Sequence, residues 1–554
     1  MKFKVNSDII ISYILAASLF LLVFLLIWIS NKGFDLTDES YYFIGYYNKI
    51  DPNLSVSFFH RIYYQFIGSN SIIISRIIRV ILTLLSSFFL GYVVGAYFKF
   101  ERKIESGLFV ALFSILSYAF YPPTLSYNSM TIILFNSVVI LQFIYFKKKS
   151  VIIPVILGFV LTLLILTKFT SIFSIVLFFG VLFVLNNYFK SNRLKAVFFN
   201  SQLLLLGVLL ALISLFKTFE IFFDSIDSFE NGLKIVDGHT IKNSFSILYY
   251  GFIHILSHSK YYILSILLLC LIHRFYNINS KIFIIITFII YSLLLFKLKI
   301  ITHPIGFFIP YFIFLVFTVF NSYVLKINLF KRNIFISFLF FILSFALSVG
   351  TNNSLYVHFI FNGSLLGLSI YILLYEFPTI YKVLSTLFLS IVIFIQVSNH
   401  LVFHPYRLNT PIYKQTEKLN CSALKNVKVD KKLMELNNDL IVFKPHPSHY
   451  VFLLADYLGC SLLINKIPYP FNWLEEKNFK NLDVLLLKSK PIHKDDLLLI
   501  IPSRFRLNQK NSLIKKSFKK INIDLEKDFK ILKSVNYNGE TFLIYGTKNV
   551  EFQH

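Results

Sequence analysis

The chain has 554 residues, 56% of them hydrophobic and 15% charged, with a formal charge of +26. That balance excludes an ordinary soluble globular protein of this length. The positive charge lies in short Lys/Arg clusters between apolar runs, as in loops facing anionic lipid, and no RNA-binding motif or basic helix with interleaved aromatics points to nucleic acid.

The run Ile9–Ile29 is long enough to cross a hydrocarbon core of roughly 30 Å. It is too long for a cleaved signal, lacks a small-residue cleavage site, and reads as the first anchor. Met1-Lys-Phe-Lys predicts a cytoplasmic N-terminus. The loop Asn31–Tyr42 follows and carries Asp35, Asp38 and Glu39. Tyr41–Ile67 is too polar to span and mixes aromatic with polar groups, which predicts helices lying in the interface. Ser71–Phe98 returns to the basic loop at Lys99–Lys103. Gly107–Phe120 and a fourth span ending at Lys147–Lys149 come next, then Val151–Leu166, Ser171–Asn186 and Ala196–Leu215. Beyond them, Tyr249–His258 predicts a further interfacial helix. The later spans are Lys260–Leu271, Ile282–Phe296, Pro304–Val324, Ile334–Val349, Leu355–Tyr375 and Val383–Val397. The total is about thirteen, with most cytoplasmic loops carrying the Lys/Arg excess. Lys168, Lys297 and Lys299 fall on the outer side against that trend. The outer loop Lys217–Phe245 is acidic, with Glu220, Asp224, Asp227, Glu230 and Asp237.

From about His400 the long apolar runs stop and lysine becomes frequent. Short apolar segments (Asp439–Phe443, Asp483–Leu487, Leu497–Ile501), helical spacing over Val451–Leu463, and a hairpin around Asn538-Gly539 predict a soluble α/β domain of roughly 150 residues. The expected fold class is a polytopic α-helical membrane protein, residues 1–399, with an extracytoplasmic α/β domain, residues 400–554. Cys270, Cys421 and Cys460 have no metal-ligand spacing, and a Cys421–Cys460 disulfide is neither required nor excluded.

Polar groups expected on the outer face form a set: Asp38, Glu39, His60, Arg61, Arg76, Arg79, Lys168, His239 and His303. An acid that accepts a proton, beside several cations that hold a phosphate, is the equipment for glycosyl transfer from a prenyl-phosphate donor. The carboxylate deprotonates an acceptor as it attacks the anomeric carbon. Lys/Arg or a divalent cation, Mg2+ or Mn2+ held at Asp38 and Glu39, stabilises the departing phosphate. Tyr41, Tyr127, Asn128 and His239 are candidate substrate contacts. Each has a plainer alternative. Arg76 and Arg79 can snorkel at a helix end, the histidines can be interfacial, and Asp224, Asp227 and Glu230 can form a solvated face. Tyr469-Pro-Phe-Asn-Trp473 offers aromatics for a sugar ring or for the domain's core.

The arrangement resembles the GT-C-fold glycosyltransferases, specifically the dolichyl-phosphate-mannose protein mannosyltransferases and the lipid A aminoarabinose transferase. The stretches that carry the resemblance are Asp38-Glu39-Ser-Tyr-Tyr42, Phe59-His-Arg-Ile-Tyr-Tyr64 with Gly68, Arg79-Val-Ile-Leu-Thr-Leu-Leu, Thr167-Lys168, and His303-Pro304 through Pro310. The resemblance implies a polyprenyl-phosphate sugar donor, inversion at the anomeric carbon, Asp38 as base, and Lys168 and Arg79 near the lipid phosphate. It further implies a lipid, glycan or protein acceptor at the outer face of a bacterial inner membrane. The family's Pro-Pro is replaced by His60-Arg61, and Phe169 stands where it has Gly. Two other readings compete. An O-antigen ligase or polymerase would carry a large outer loop rich in Arg and His, unlike Lys217–Phe245. A flippase or transporter would show inverted repeats and mid-membrane charges, and neither is found.

Overall fold

The first apolar run forms α1, Ser7–Ile29. It contains no Gly or Pro, and its Tyr13, Phe20 and Phe24 are 64–70% exposed. Aromatic surface on that scale is stable against lipid and costly against water. The computed structural model describes residues 7–47, 57–68, 70–188, 201–217, 221–227, 241–276, 304–324, 331–347, 355–419, 421–470, 476–505 and 513–548, with isolated residues between them.

After α1 come two short helices, α2 (Asp38–Tyr47) and α3 (Phe59–Phe66), where interfacial helices are expected. Next are α4 (Ile72–Tyr97), α5 (Lys103–Ser114), α6 (Tyr127–Lys148), α7 (Ile152–Thr167), α8 (Ser171–Tyr188) and α9 (Ser201–Phe216). The remaining apolar helices are α10 (Ile241–Tyr276), α11 (Pro304–Val324), α12 (Lys331–Ala346), α13 (Leu355–Phe361), α14 (Gly363–Leu374) and α15 (Thr379–Val402). Among the described residues, 5 helices are long and apolar enough to cross a membrane, or up to 7 if each bent pair is one span. The protein is therefore helical and membrane-embedded.

Several elements depart from the expected spans. Tyr249–His258 and Lys260–Leu271 belong to one continuous helix, α10, because helix geometry carries its polar residues through without a break. Gly107–Phe120 is α helix only to Ser114 and then tightens into a 3-10 turn, Ile115–Tyr118. Leu355–Tyr375 is two helices bent by 76° at Asn362, whose side-chain amide donates to the Ser344 carbonyl at 2.6 Å. α15 runs to Val402, so the expected boundary at 399 falls inside a helix. Most of Ile282–Phe296, with Lys297 and Lys299, lies outside the described residues.

α7 and α9 touch backbone to backbone. A Cβ at Gly158 would sit 2.0 Å from the Leu204 carbonyl oxygen, and one at Gly207 would sit 1.9 Å from that of Val155. Small residues permit such approach in a bundle held by packing. Gly207→Val should therefore force the helices apart, at a cost of about 1–3 kcal/mol. The expected result is a lower thermal unfolding midpoint in detergent; an unchanged midpoint would mean that the contact does not hold the bundle.

The C-terminal part contains strands β1 (Glu417–Lys418) and β2 (Lys428–Val429), helix α16 (Lys431–Ile441), and a five-stranded mixed sheet. The sheet comprises β3 (Tyr450–Phe452), β4 (Ile467–Pro468), β5 (Leu497–Pro502), β6 (Phe529–Tyr537) and β7 (Glu540–Thr547), in the order β4-β3-β5-β7-β6. β6 and β7 form the expected hairpin, and Asn538 and Gly539 take φ of 50° and 80° in its turn, the left-handed pair a two-residue hairpin loop favours. Val451–Leu463 begins as strand β3, since its first residues are claimed by the sheet, passes through a 3-10 turn at Ala455–Tyr457 and is α-helical only from Cys460. Asp439–Phe443 is mostly the end of α16, and Asp483–Leu487 lies in a further helix, Leu482–Lys488. Cys421 and Cys460 are free and buried. Tyr469 is buried in the domain core, whereas Phe471–Trp473 lie outside the described residues.

Backbone hydrogen bonds join this part to the loop after α1. Gly33 N–H donates to the Lys428 carbonyl and Lys428 N–H to that of Asn31, both at 2.7 Å, while Gly459 N–H donates to the Leu36 carbonyl at 2.8 Å.

Candidate functional site

The loop from α1 to α2 holds three acids with three different surroundings. Asp35 ends the turn into α2. It accepts from Thr37 N–H at 2.9 Å, the Thr37 hydroxyl at 2.6 Å and Glu39 N–H at 3.2 Å. These bonds satisfy the helix's open amides, the ordinary work of a capping carboxylate. Burial, and next the neighbouring Asp38 carboxylate, push its pKa up to about 7 against those bonds.

Glu39 is 1% exposed and Arg76 is 2% exposed. Arg76, from the first turns of α4, donates Nε to Glu39 Oε1 at 2.9 Å and Nη2 to Oε2 at 2.7 Å. The same guanidinium donates to the carbonyls of Ser30, Lys32 and Gly33 at 2.7–3.0 Å. Arg76 therefore does not snorkel; it ties the loop to α4. Gly33 turns the loop with φ of +70°, and a Cβ there would strike Leu408.

Asp38 is the most open of the three, with 20% of its side-chain surface accessible, against 3% for Asp35. The Tyr406 hydroxyl donates to its Oδ2, and the Arg407 guanidinium lies 3.3 Å from its Oδ1. Arg407 also donates to the Thr37 hydroxyl at 2.6 Å and takes a left-handed φ of 53°, a backbone cost often found at functional sites. Tyr42 packs beside Tyr127, their ring centroids 5.7 Å apart, on the same side of the loop, and the Asp38 charge reaches both. Tyr42 and Tyr127 thus lie near the acid, Tyr41 packs against Tyr42 and His60, and Asn128 is buried next to Tyr127 in the chain.

Other candidate residues sit elsewhere. His60 is buried, its Nε2 3.1 Å from the Tyr41 carbonyl and its ring edge-on to Tyr41. It packs α3 onto α2. Arg61 donates to the Ser225 hydroxyl at 3.0 Å and lies 5.0 Å over the Phe216 ring, directed toward the end of α9. Arg79 is fully buried. It donates to the carbonyls of Pro122, Ser117 at 2.9 Å and Thr124 at 3.5 Å, with its charge 4.1 Å over the Tyr118 ring. It fastens the 115–124 segment to α4 instead of facing a lipid phosphate, because carbonyls without helical partners claim it first. Lys168 is also buried and donates to the Leu347 carbonyl at 2.7 Å, at the end of α12. His239 and His303 lie outside the described residues.

Two cavities flank the loop. The smaller, of about 30 Å³, is lined by Lys32, Glu39, Arg76, Tyr118, Tyr121 and Tyr406, among others. The larger, of about 200 Å³, lies between the loop, the segment after α15 and the C-terminal part. Phe34, Asp35 and Leu408 line both, and Lys168 lines neither. Lys32 lies 3.3 Å over the Trp28 ring, and its ammonium pKa is lowered by burial and then by the neighbouring Lys428.

No protein-family model matches the chain, and no curated protein matches its sequence. Chemistry is therefore assigned from the residues. A divalent cation at Asp38 and Glu39 does not fit them: both Glu39 oxygens are taken by Arg76, and among the described residues no group of three or more His, Cys, Asp or Glu is placed to hold a metal. Tyr406 and Arg407 are the site residues that sequence reasoning missed. The signal available was His404-Pro-Tyr-Arg407, an aromatic and a cation just beyond the last apolar helix.

Asp35 makes stability depend on pH. The folded protein holds this proton to about pH 7, whereas the unfolded chain releases it near 3.8. The folded state binds more protons between those values, so this contribution is complete below 3.8 and is lost as pH rises through about 7. The thermal midpoint should fall between about pH 4 and about pH 7, and Asp35→Asn should flatten that slope. An identical slope in the variant would assign the effect to other groups.

Proposed function

We propose that this chain is a GT-C-type membrane glycosyltransferase that moves a sugar from a polyprenyl-phosphate donor to an acceptor at the outer face of a bacterial inner membrane. The observation that carries the reading is the sorting of the loop acids. Asp35 caps a helix and Glu39 is neutralised by Arg76, which leaves Asp38 partly open and oriented by Tyr406 and Arg407. A positioned carboxylate at a membrane mouth is the group that removes an acceptor proton.

In the proposed reaction the acceptor oxygen or nitrogen forms a bond to the anomeric carbon. Its proton passes to Asp38, and the anomeric carbon–oxygen bond breaks with its electron pair leaving on the polyprenyl phosphate. Attack opposite the leaving group inverts the centre. Because Arg79 and Lys168 are held by backbone carbonyls, we assign the phosphate contact to Lys32, which lines the smaller cavity and stands near Lys428. Two adjacent ammonium groups attract an anion. The shorter apolar helices Ile152–Thr167, Ser171–Val184, Gly306–Ser322 and Asn333–Phe345 are read as further spans, toward the expected thirteen.

The test is transfer of radiolabel from polyprenyl-phosphate sugars in membranes containing the full chain. Lys32→Ala should lower kcat/KM for the donor about tenfold or more, with kcat falling as well, because the phosphate gains charge as the bond breaks. An unchanged kcat/KM would remove Lys32 from the phosphate contact.

A further inference from the structure

The geometry points to the larger cavity as a binding site for a single neutral or amine-bearing sugar unit, the acceptor's reactive end. The word acceptor rests on the transfer reading; the sugar site itself rests on the cavity. Its volume of about 200 Å³ is on the order of one monosaccharide and well below the size of a typical drug-sized pocket.

The lining has the composition that recognises hydroxyl groups. Asn409 and Asn538 supply amides, Asp430 and Asp456 supply carboxylates, and Tyr537 and Tyr457 supply aromatic surface, the Tyr457 hydroxyl donating to Glu540. Amides and carboxylates pair with vicinal hydroxyls, and an aromatic face covers the apolar face of a sugar ring. These side chains come from the segment after α15, from the start of α16, from the turn after β3, and from the β6–β7 hairpin. The site therefore exists only when the C-terminal part is docked on the loop.

Charge decides the class of ligand. The carboxylates of Asp430 and Asp456 face the cavity against one guanidinium, Arg407, and Asp35 beside them is neutral below about pH 7. Arg407 is already engaged by Asp38 at 3.3 Å and Thr37 at 2.6 Å. Asp430 is fixed in place by Leu433 N–H at 2.8 Å and by the Thr410 hydroxyl at 2.9 Å. An anionic phosphosugar would meet like charge here, whereas an uncharged or aminated ring would not. Asp38 itself does not line the cavity, but Thr37 and Arg407, which pairs with Asp38, do, so a sugar held there lies beside the proposed base.

The experiment is saturation-transfer NMR on the full chain in detergent micelles, without lipid donor, using methyl β-glucoside, methyl β-galactoside, glucosamine and glucose 6-phosphate as probes. At least one neutral or amine-bearing probe should receive saturation on its ring protons, and glucose 6-phosphate should not. Asn409→Trp, which fills the cavity, should remove the signal. Asp456→Lys, at an exposed position that spares the fold, should weaken glucosamine at least tenfold and admit glucose 6-phosphate. Silence from all three uncharged or aminated probes overturns the proposal, as does equal binding of glucose 6-phosphate or full signal in a folded Asn409→Trp chain. Because no donor is present, binding without transfer would sink the transferase reading and leave the sugar site standing, while transfer without binding would sink the sugar site.

Discussion

Asp38→Asn should lower sugar transfer by about 10²–10⁴-fold, the usual contribution of a general base. The amide keeps the size of the carboxylate, and its oxygen can still accept from the Tyr406 hydroxyl. What is lost is the ability to take a proton, together with the Arg407 ion pair. Arg407 is 41% exposed, so water compensates its charge and that pair contributes little to stability. The variant should therefore reach the membrane in normal amount and unfold at nearly the wild-type temperature. Radiolabel transfer in membranes, read beside a thermal unfolding curve, separates the two effects. Transfer equal to wild type would remove Asp38 from the mechanism.

Arg76→Met should have the largest effect on stability. It leaves the Glu39 carboxylate buried at 1% exposure with no counter-charge. It also removes the donor from the carbonyls of Ser30, Lys32 and Gly33. Breaking a buried pair on one side costs about 3–5 kcal/mol, a large share of the roughly 5–15 kcal/mol that holds a typical domain together. Little folded protein should be recovered. Adding Glu39→Gln should restore part of the loss, because the stranded charge is gone, and the non-additivity measures the pair. An Arg76→Met chain with an unchanged unfolding midpoint would mean that the loop is held by other contacts.

The contrast between Asp38 and Glu39 shows what the sequence could and could not convey. Hydropathy marked the loop between two apolar runs, and the adjacent acids stood out there. Their separate fates arise because α2 starts at Asp38, so one residue of helical rotation turns Glu39 into the core and leaves Asp38 at the rim. Glu39's partner lies 37 residues away, and nothing local distinguishes Arg76, which ties the loop, from Arg79, which ties the 115–124 segment. Lys168 looked functional because it opposes the positive-inside trend, yet an unpaired carbonyl at the end of α12 is enough to hold it. The long helices were legible because length and apolar content decide them. The break at Asn362 and the continuity of α10 were not, since both depend on packing that a running average does not register.

The pairing of Gly33 and Asn31 with Lys428 has a consequence for biosynthesis. About 400 residues separate the two partners, and a ribosome adding roughly 5–20 residues each second needs roughly 20–80 s to make them. For that interval the nascent chain already has the acidic loop that follows its first apolar helix but lacks the strand that pairs with it. The loop and the larger cavity beside it are therefore completed only when the last quarter of the chain has been translated and folded.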